Sequence, residues 1–306
     1  MAVNLATNSV LRVIDGCVAM SRRLSMASLR IQDRLRYLRF RVAYQPHPTD
    51  IFIATYPKSG TTLVHMILYQ LLTDGDMGIP HLNRFAPYLE DLIKGEARVG
   101  DPRCRKEGSA PRRIAKTHLP YNVVPKGCGR YIYVVRDGRD AAVSYYHHHR
   151  RNGYDKSFPD YFHEFVKGVD RFGSWFEHVD DWTRNRDRLN VLYLRFEDLL
   201  ADLDGAVRRI ADFCEIPLRE EEMPRILRNC SFDFMRRHES KLDVRTRKCG
   251  DLDPENDHFV RQGKTGGWVN YLDPQLSALY DARFERHFGN APAAMDKYFG
   301  AHEMGN

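Results

Sequence analysis

The fold is decided by residues 55–62, Thr55-Tyr56-Pro57-Lys58-Ser59-Gly60-Thr61-Thr62, which lie between an apolar stretch and an amphipathic one. Residues 51–54 are rich in β-branched and aromatic side chains, as a short buried strand is, and the apolar residues of 63–71 recur at helical spacing. A strand that breaks and opens into a helix presents backbone N–H groups at the positive helix end, where a phosphate is stabilised. The octet therefore predicts a phosphate-binding loop, the alternative being an ordinary strand–turn–helix with a surface lysine.

The spacing of the octet differs from that of a nucleotide-triphosphate P-loop. That pattern, G-x-x-x-x-G-K-[ST], places the lysine after a glycine, whereas Lys58 precedes Gly60. The lysine supplies a point charge to the predicted loop, and neighbouring hydroxyl groups supply donors.

The composition is that of a soluble globular protein. The chain has 306 residues, of which 42% are hydrophobic and 29% charged, enough for one large α/β domain or two smaller ones. It has no run of 18 apolar residues and no secretory leader pattern. Its six cysteines form no C-x-x-C pair, so we expect reduced thiols in a cytoplasmic protein, with neither a disulfide framework nor a zinc site.

The positive charge is concentrated at one end of the chain. Residues 1–45 hold eight arginines and two aspartates, so this segment carries the whole formal excess of +6. A basic field over the rest of the chain, as nucleic-acid binding requires, is not supported, and we expect no nucleic-acid partner.

Residues 1–45 are predicted to form a basic helical extension that precedes a domain spanning 46–306. Prolines at 46 and 48 disfavour a continued helix there, and four apolar residues share one helical face, namely Ile31, Leu35, Leu38 and Val42. Packing on the body or on a second subunit is the favoured role. Peripheral contact with an anionic membrane and an organelle transit peptide are the alternatives.

From residue 50 onward, strands alternate with helices, which predicts a single α/β domain with a central parallel sheet flanked by helices. The predicted strands cover 51–56, 113–116, 130–135 and 191–196. The predicted helices cover 61–73, 138–150, 158–168, 171–186, 204–214 and 219–228. Ligands bind at the carboxyl ends of parallel strands, and all four strands end in polar residues. The polar segment 236–262 is predicted to be a long, mobile loop, which is uncommon unless it is functional.

Side chains suited to acid–base chemistry follow the second strand. His118 is a candidate general base because its ordinary pKa lies near neutrality, although a lone histidine is often structural. Lys116, two residues earlier, is a cation suited to stabilising developing negative charge.

Two further segments are suited to a second anion. Arg136 ends the third strand, and Ser144 lies in the next helix, so the two side chains are able to grip one anion, the alternative being a capping turn made by Asp137 or Asp140. Residues 261–268, Arg-Gln-Gly-Lys-Thr-Gly-Gly-Trp, combine glycines with cations and suit a phosphate, unless they form a flexible loop without a ligand.

The three consecutive histidines 147–149 are not predicted to bind a metal. Adjacent residues on a helix do not face one point, so we interpret them as surface or substrate-pocket side chains.

Six segments, in this order, resemble those of the cytosolic-type sulfotransferases, which transfer a sulfuryl group from 3′-phosphoadenosine-5′-phosphosulfate (PAPS) to a hydroxyl or amine. They are 55–62, 116–120, 133–146, 192–198, the pair at 231–232, and 261–268. Together they span residues 50 to 270.

The resemblance implies a role for each matching residue. The 5′-phosphosulfate would be held by Lys58, Ser59, Gly60, Thr61 and Thr62. The 3′-phosphate would be held by Arg136, Ser144, Arg261 and Gly263, beside Gln262. Phe232 would stack on adenine, with Phe196 and Cys230 nearby. His118 would take the acceptor's proton, Lys58 would stabilise the leaving phosphate and Lys116 would act near the transferring group. No metal would be required.

Three positions depart from the family pattern. Leu63 stands in place of a tryptophan that faces adenine, Phe196 in place of a tyrosine, and Gln262 in place of a lysine. The short dimerisation motif of animal members is absent from 269–278, so the oligomeric state stays open. Such differences are typical of a distant branch, such as a bacterial one.

Two other functions are carried as alternatives: an ATP-dependent kinase with a P-loop-like fold, and a non-catalytic nucleotide-binding protein on the same scaffold. The acceptor is expected to be a phenol, an alcohol or a lipid-like alcohol, with a sugar left open. Its pocket is predicted to be formed by 81–95, 145–155 and 236–262, with seven aromatic and histidine side chains, namely His81, Phe85, Tyr88, Tyr145, Tyr146, His147 and His148.

Overall fold

A parallel four-stranded sheet forms the centre of the computed structural model, which describes residues 47–94, 112–243 and 258–289 together with Val13, Tyr37, Leu38 and Tyr44. Its strands are β1 (Ile51–Thr55), β2 (Ile114–Thr117), β3 (Arg130–Val135) and β4 (Asn190–Arg195), in the order β2-β1-β3-β4. All neighbouring pairs are parallel, with Ile51 opposite both Ile114 and Arg130. The predicted parallel sheet is confirmed, and each strand lies within one residue of its predicted position.

Ten α-helices are present among the described residues. They are α1 (Thr61–Leu72), α2 (Leu89–Lys94), α3 (Gly138–Arg151), α4 (Phe158–Lys167), α5 (Trp175–Arg184), α6 (Phe196–Ala201), α7 (Leu203–Phe213), α8 (Met223–Asn229), α9 (Phe232–Arg237) and α10 (Pro274–Phe288).

Two predicted helices begin later than expected. The helix predicted for 171–186 starts only at Trp175, because Gly173 has a φ of +76° and Ser174 is extended at the N-cap. In the helix predicted for 219–228, a 3-10 turn at Glu220–Glu222 comes first, and Pro224 then lies in the first turn of α8.

Four helices were not predicted: α2, α6, α9 and α10. Two of them carry capping signals in the sequence: the Ser231 hydroxyl accepts the Phe234 N–H, and the Asp273 carboxylate accepts the Leu276 N–H at 2.8 Å. The prediction of a loop for 236–262 was wrong at the start of that segment. Residues 236 and 237 are the end of α9, and a 3-10 turn follows at Glu239–Lys241. Residues 244–257 of that segment lie outside the described residues.

Alternation along the strands divides the core into two clusters, one on each face of the sheet. In β3, Tyr131 and Tyr133 face a cluster rich in aromatic rings that includes residues of α3, α4, α5 and α10. Ile132 and Val134 face a mainly aliphatic cluster that includes residues of α1, α7 and α8. Both faces are thus covered by helices, as parallel sheets require, and the carboxyl ends of the strands stay free for a site.

No described helix combines the length and the apolar character needed to cross a bilayer. Most of the segment 1–45 lies outside the described residues, and its helical character stays a prediction. Tyr37 and Tyr44 pack against the aromatic cluster, and the Tyr44 hydroxyl lies 3.2 Å from Asp50 Oδ2.

Candidate active site

The loop between β1 and α1 has the backbone conformation of an anion-binding nest. Lys58 and Gly60 have φ values of +65° and +110°. A Cβ at Gly60 would lie 2.7 Å from Phe196 Cδ2, so the position requires glycine. Helix α1 has no acidic residue in its first turn and no side-chain cap, and the buried Ser59 hydroxyl has no partner among the described residues. This helix end is therefore suited to an anion.

Lys58 brings an ammonium group with a perturbed pKa to this loop. Burial, followed by the nearby cations Arg151 and Arg136, lowers the Lys58 pKa to about 7. The ammonium lies 4.5 Å from the centre of the Phe259 ring. An anion in the loop would oppose this depression and favour the charged lysine.

His118 has the hydrogen bonds of an oriented general base. Its Nδ1 lies 2.9 Å from the carbonyl oxygen of Thr55, which can only accept, so Nδ1 donates and Nε2 keeps its lone pair. Burial, followed by Lys116 and Lys58 among the nearby cations, lowers the His118 pKa to about 4. The ring is therefore neutral near pH 7 and is able to accept a proton.

A second contact of Thr55 connects the histidine to the phosphate loop. Its hydroxyl lies 3.2 Å from His118 Nδ1 and 2.6 Å from the Thr61 hydroxyl. The candidate base and the first turn of α1 are thus joined through one buried side chain.

Glu90 is a site residue that the sequence did not reveal. Its Oε1 accepts the His118 backbone N–H at 2.7 Å, and its side chain lines the same cavity as the histidine. Burial raises the Glu90 pKa to about 7. No sequence signal distinguishes this residue from an ordinary acidic residue in the first turn of α2.

Lys116 lies behind the wall of the site. Its ammonium donates to Asn83 Oδ1 at 2.5 Å and lies 4.4 Å from the centre of the Tyr88 ring. The residue is only 5% exposed and does not line the cavity, and burial lowers its pKa to about 7. Its catalytic role stays a prediction.

Arg136 joins the two predicted anion loops. Its guanidinium donates to the carbonyl oxygens of Lys58 at 3.2 Å and Lys264 at 2.9 Å, and it lies 4.6 Å from the centre of the Phe196 ring. Its buried Nε has no partner within the described part of the chain. One N–H donor is therefore free at the junction of the loops.

The loop at 261–268 is ordered by the start of α3. Asp140 accepts the backbone N–H groups of Gly266 at 2.6 Å and Trp268 at 3.1 Å. Asp137 caps α3 by accepting the Arg139 N–H at 2.8 Å, so the capping interpretation holds for Asp137. Asp140 instead fixes the downstream loop.

One cavity of about 490 Å³ brings most of the predicted residues together. The predicted residues that line it are Lys58, Gly60, Thr61, Thr62, His118, Arg136, Ser144, Phe196, Cys230, Phe232, Arg261, Gln262 and Gly263. Leu63 is also on its wall, whereas Ser59 and Lys116 lie behind it.

The acceptor end of the cavity differs in part from its prediction. Of the seven aromatic and histidine side chains expected there, Tyr88, Tyr145 and His148 line the cavity, and Phe172 was missed. The other four have partners elsewhere: Phe85 packs edge-on against Tyr69, His147 Nε2 lies 2.8 Å from the Tyr271 hydroxyl, Tyr146 packs against Phe158, and His81 Nε2 lies 3.0 Å from the Asp243 carbonyl oxygen.

The three consecutive histidines point to three different partners. His149 Nε2 lies 2.9 Å from Asp170 Oδ2, while its two neighbours contact Tyr271 and the cavity. In the described ranges, no group of three or more His, Cys, Asp or Glu side chains is arranged to hold a metal ion.

Comparison with known proteins decides the family. A family model described as a sulfotransferase domain matches residues 48–292. The chain belongs to the sulfotransferase family. The resemblance drawn from the six segments is thereby confirmed, and with it the expectation of a PAPS-dependent sulfotransferase enzyme.

The relatives are similar to this sulfotransferase over most of their length. Mouse sulfotransferase 1B1 is 33% identical over 254 residues, which cover 79% of this chain and 84% of the relative. Human sulfotransferase 1E1 is 32% identical over 280 residues, which cover 84% of this chain and 90% of the relative.

Solved structures agree with the fold. The structure of mouse sulfotransferase SULT7A1 complexed with PAP has a TM-score of 0.63 and 26% identity, covering 85% of this chain and 91% of that chain. The structure of retinol dehydratase in complex with androsterone and inactive cofactor PAP has a TM-score of 0.64 at 24% identity, and the match covers 84% of this chain and 86% of that chain.

Proposed function

We propose that this enzyme transfers a sulfuryl group from PAPS to a hydroxyl or amine group of a small acceptor by in-line displacement. A single observation carries the proposal: one cavity joins the anion loop with Lys58 to a neutral His118 whose Nε2 is left to accept a proton. In-line transfer of this kind is catalysed mainly by positioning and charge stabilisation.

The residues present fit a donor with two separated anionic groups. The loop 58–62 would hold the 5′-phosphosulfate, and Arg136, Ser144 and Arg261 would hold the 3′-phosphate. The buried Ser59 hydroxyl and the Arg136 Nε, which have no partner among the described residues, support this assignment. Phe232, with Phe196 and Cys230 beside it, would face the adenine. PAPS supplies the sulfuryl group, and the chain supplies orientation.

His118 acts as the general base in this proposal. Its Nδ1–H is fixed by the Thr55 carbonyl oxygen, so Nε2 accepts the proton that the acceptor hydroxyl loses during attack. Glu90 holds the His118 backbone and thereby keeps the ring at the junction of the two ends of the cavity.

Lys58 stabilises the negative charge that develops on the leaving phosphate oxygen. Its role requires the ammonium form, which a bound anion favours over the neutral amine. Lys116, which lies behind Tyr88, would contribute positive potential through the wall rather than by direct contact.

The acceptor end favours a flat hydroxylated molecule. The ring centres of Tyr88 and Phe172 lie 5.5 Å and 5.2 Å from the centre of the His118 ring, and Tyr145 also lines the cavity. Such walls bury an aromatic or lipid-like alcohol well.

Two experiments separate the proposal from its alternatives. Adenosine 3′,5′-bisphosphate should raise the melting temperature more than ATP with Mg²⁺ does, whereas a kinase would show the reverse. A non-catalytic protein would bind the bisphosphate but transfer no sulfate to any member of an acceptor panel of phenols, alcohols, amines and sugars.

The same comparison supports proposals for the bounds of the domain and for the location of the protein. The family match at 48–292 supports a sulfotransferase domain at 46–306. Zebrafish cytosolic sulfotransferase 1, which is 32% identical over 264 residues, supports a cytoplasmic location. The peripheral membrane role of residues 1–45 would be tested by comparing how much of the full chain, and of a chain lacking these residues, binds to anionic vesicles.

A further inference from the structure

The Lys58 ammonium has an aromatic ring as its partner. It lies 4.5 Å from the centre of the Phe259 ring, and both residues line the cavity. Within the described part of the chain, this ammonium forms no hydrogen bond and no ion pair. A cation within about 6 Å of a ring centre is attracted by the negative face of the ring. The Phe259 ring is therefore a direct stabilising contact for this charge.

The backbone that carries Phe259 is held by a carboxylate. Glu239 Oε2 accepts the N–H groups of Phe259 at 3.1 Å and Val260 at 3.3 Å, and Glu239 Oε1 lies 2.7 Å from His258 Nδ1. Arg236 donates to the carbonyl oxygens of Val260 and Arg261. The ring is thus presented from a fixed backbone rather than from a free loop.

The surroundings of Lys58 otherwise favour loss of its proton. Burial is the largest cause of its lowered pKa, and three arginines act in the same direction. The charged and titratable groups that act on it or respond to it are Arg136, Arg151, Arg261, Asp243, His118 and His148. Of these, only Asp243 favours the ammonium form. A neutral amine would be unable to stabilise a leaving phosphate.

We propose that Phe259 is a positioning residue for Lys58: the Phe259 ring holds the Lys58 ammonium group in the cavity and favours its charged form over the neutral amine. Phe259 acts through the lysine, and the proposal rests on the proposed function of Lys58. The same ring lies 6.0 Å from the Arg151 guanidinium, so a second cation lies near its face.

The test compares a variant that loses the aromatic ring at position 259 with one that keeps it. Phe259→Leu keeps a large apolar side chain but removes the ring face, and Phe259→Tyr keeps the face. The Lys58 titration is followed by NMR in the donor-free protein with ¹³Cε-labelled lysine, and Lys58→Arg assigns the signal. In Phe259→Leu, we expect the midpoint to move to lower pH by about half a unit to one and a half units. Phe259→Tyr should titrate like the wild type.

A matched control separates the ring contact from a general loss of aromatic packing. The Phe234 ring stacks on the His238 ring, with 4.2 Å between the ring centres, and Phe234 does not line the cavity. Phe234→Leu should therefore leave the Lys58 midpoint unchanged. Above pH 7, Phe259→Leu should also bind adenosine 3′,5′-bisphosphate about 3- to 30-fold more weakly than Phe259→Tyr.

An unchanged midpoint in Phe259→Leu would overturn the inference, as would equal shifts in Phe259→Leu and Phe259→Tyr. The titration needs neither donor nor catalysis. A shifted midpoint in a protein that transfers no sulfate would therefore support the ring contact while rejecting the proposed function.

Discussion

Gly263→Ala should weaken donor binding through the adenine side of the cavity. Gly263 has a φ of +60°, and a Cβ there would lie 2.4 Å from Phe232 Cδ2. Because real Cβ atoms essentially never approach so closely, the Phe232 ring must move. This ring is proposed to stack on adenine and is 38% exposed, so it has room to leave its place.

The magnitude follows from two separable costs. Placing alanine at a positive φ costs roughly 1–2 kcal/mol of folding stability. Loss of base stacking on an aromatic ring costs roughly 1–3 kcal/mol of binding free energy, or about 5- to 150-fold in Kd. Gly263→Ala should show both effects.

Gly266→Ala is the matched control. Gly266 lies in the same loop with a φ of +77°, but among the described residues no atom outside its chain neighbours lies within 4 Å of a Cβ built there. Gly266→Ala should therefore lose folding stability as Gly263→Ala does, but it should keep the stacking of Phe232 on adenine and hence the wild-type Kd. Isothermal titration with adenosine 3′,5′-bisphosphate measures Kd, and thermal unfolding measures stability. Equal Kd values for the two variants would refute the assignment of Phe232 to the adenine.

Three further predictions test other parts of the site. His118→Ala should lower the rate of sulfate transfer by roughly two to four orders of magnitude, the usual worth of a general base, while bisphosphate binding is retained; near-wild-type turnover would reject this base. Because the Lys58 ammonium is lost as pH rises through about 7, the affinity for the bisphosphate should fall above that pH by up to about tenfold per pH unit, and a proton should be taken up on binding. Lys58→Met should make the affinity much less dependent on pH, and a wild-type affinity that does not change with pH would contradict the prediction. Asp140→Asn leaves one of the Gly266 and Trp268 N–H groups without an acceptor, so unfolding free energy should fall by about 1–3 kcal/mol; an unchanged melting temperature would show that other contacts hold the loop.

The sheet and the strand–turn–helix at residues 51–72 were predictable because their signals are local. Residues 51–56 combine a buried apolar strand with an immediate turn, and period-two alternation in β3 gives each face of the sheet its own side chains. Helix α10 was missed although Asp273 and Pro274 mark its start and its buried residues Leu276, Tyr280, Phe284 and Phe288 recur at every fourth position.

The acceptor end was less predictable because tertiary packing decides which side chains reach it. His147 and His148 are adjacent on α3, yet one contacts Tyr271 and the other lines the cavity. Glu90 reaches His118 only because α2 packs beside β2, through the bridge between Tyr88 and Lys116. No spacing in the sequence encodes these contacts.

The most direct test of the account is transfer of radiolabelled sulfate from PAPS to a panel of phenols and lipid-like alcohols, with the wild-type enzyme and the His118→Ala variant side by side. We expect labelled product from at least one acceptor with the wild type and a loss of at least about 100-fold in the variant. Absence of product across the panel, in a protein that ATP with Mg²⁺ stabilises more than adenosine 3′,5′-bisphosphate does, would contradict the account.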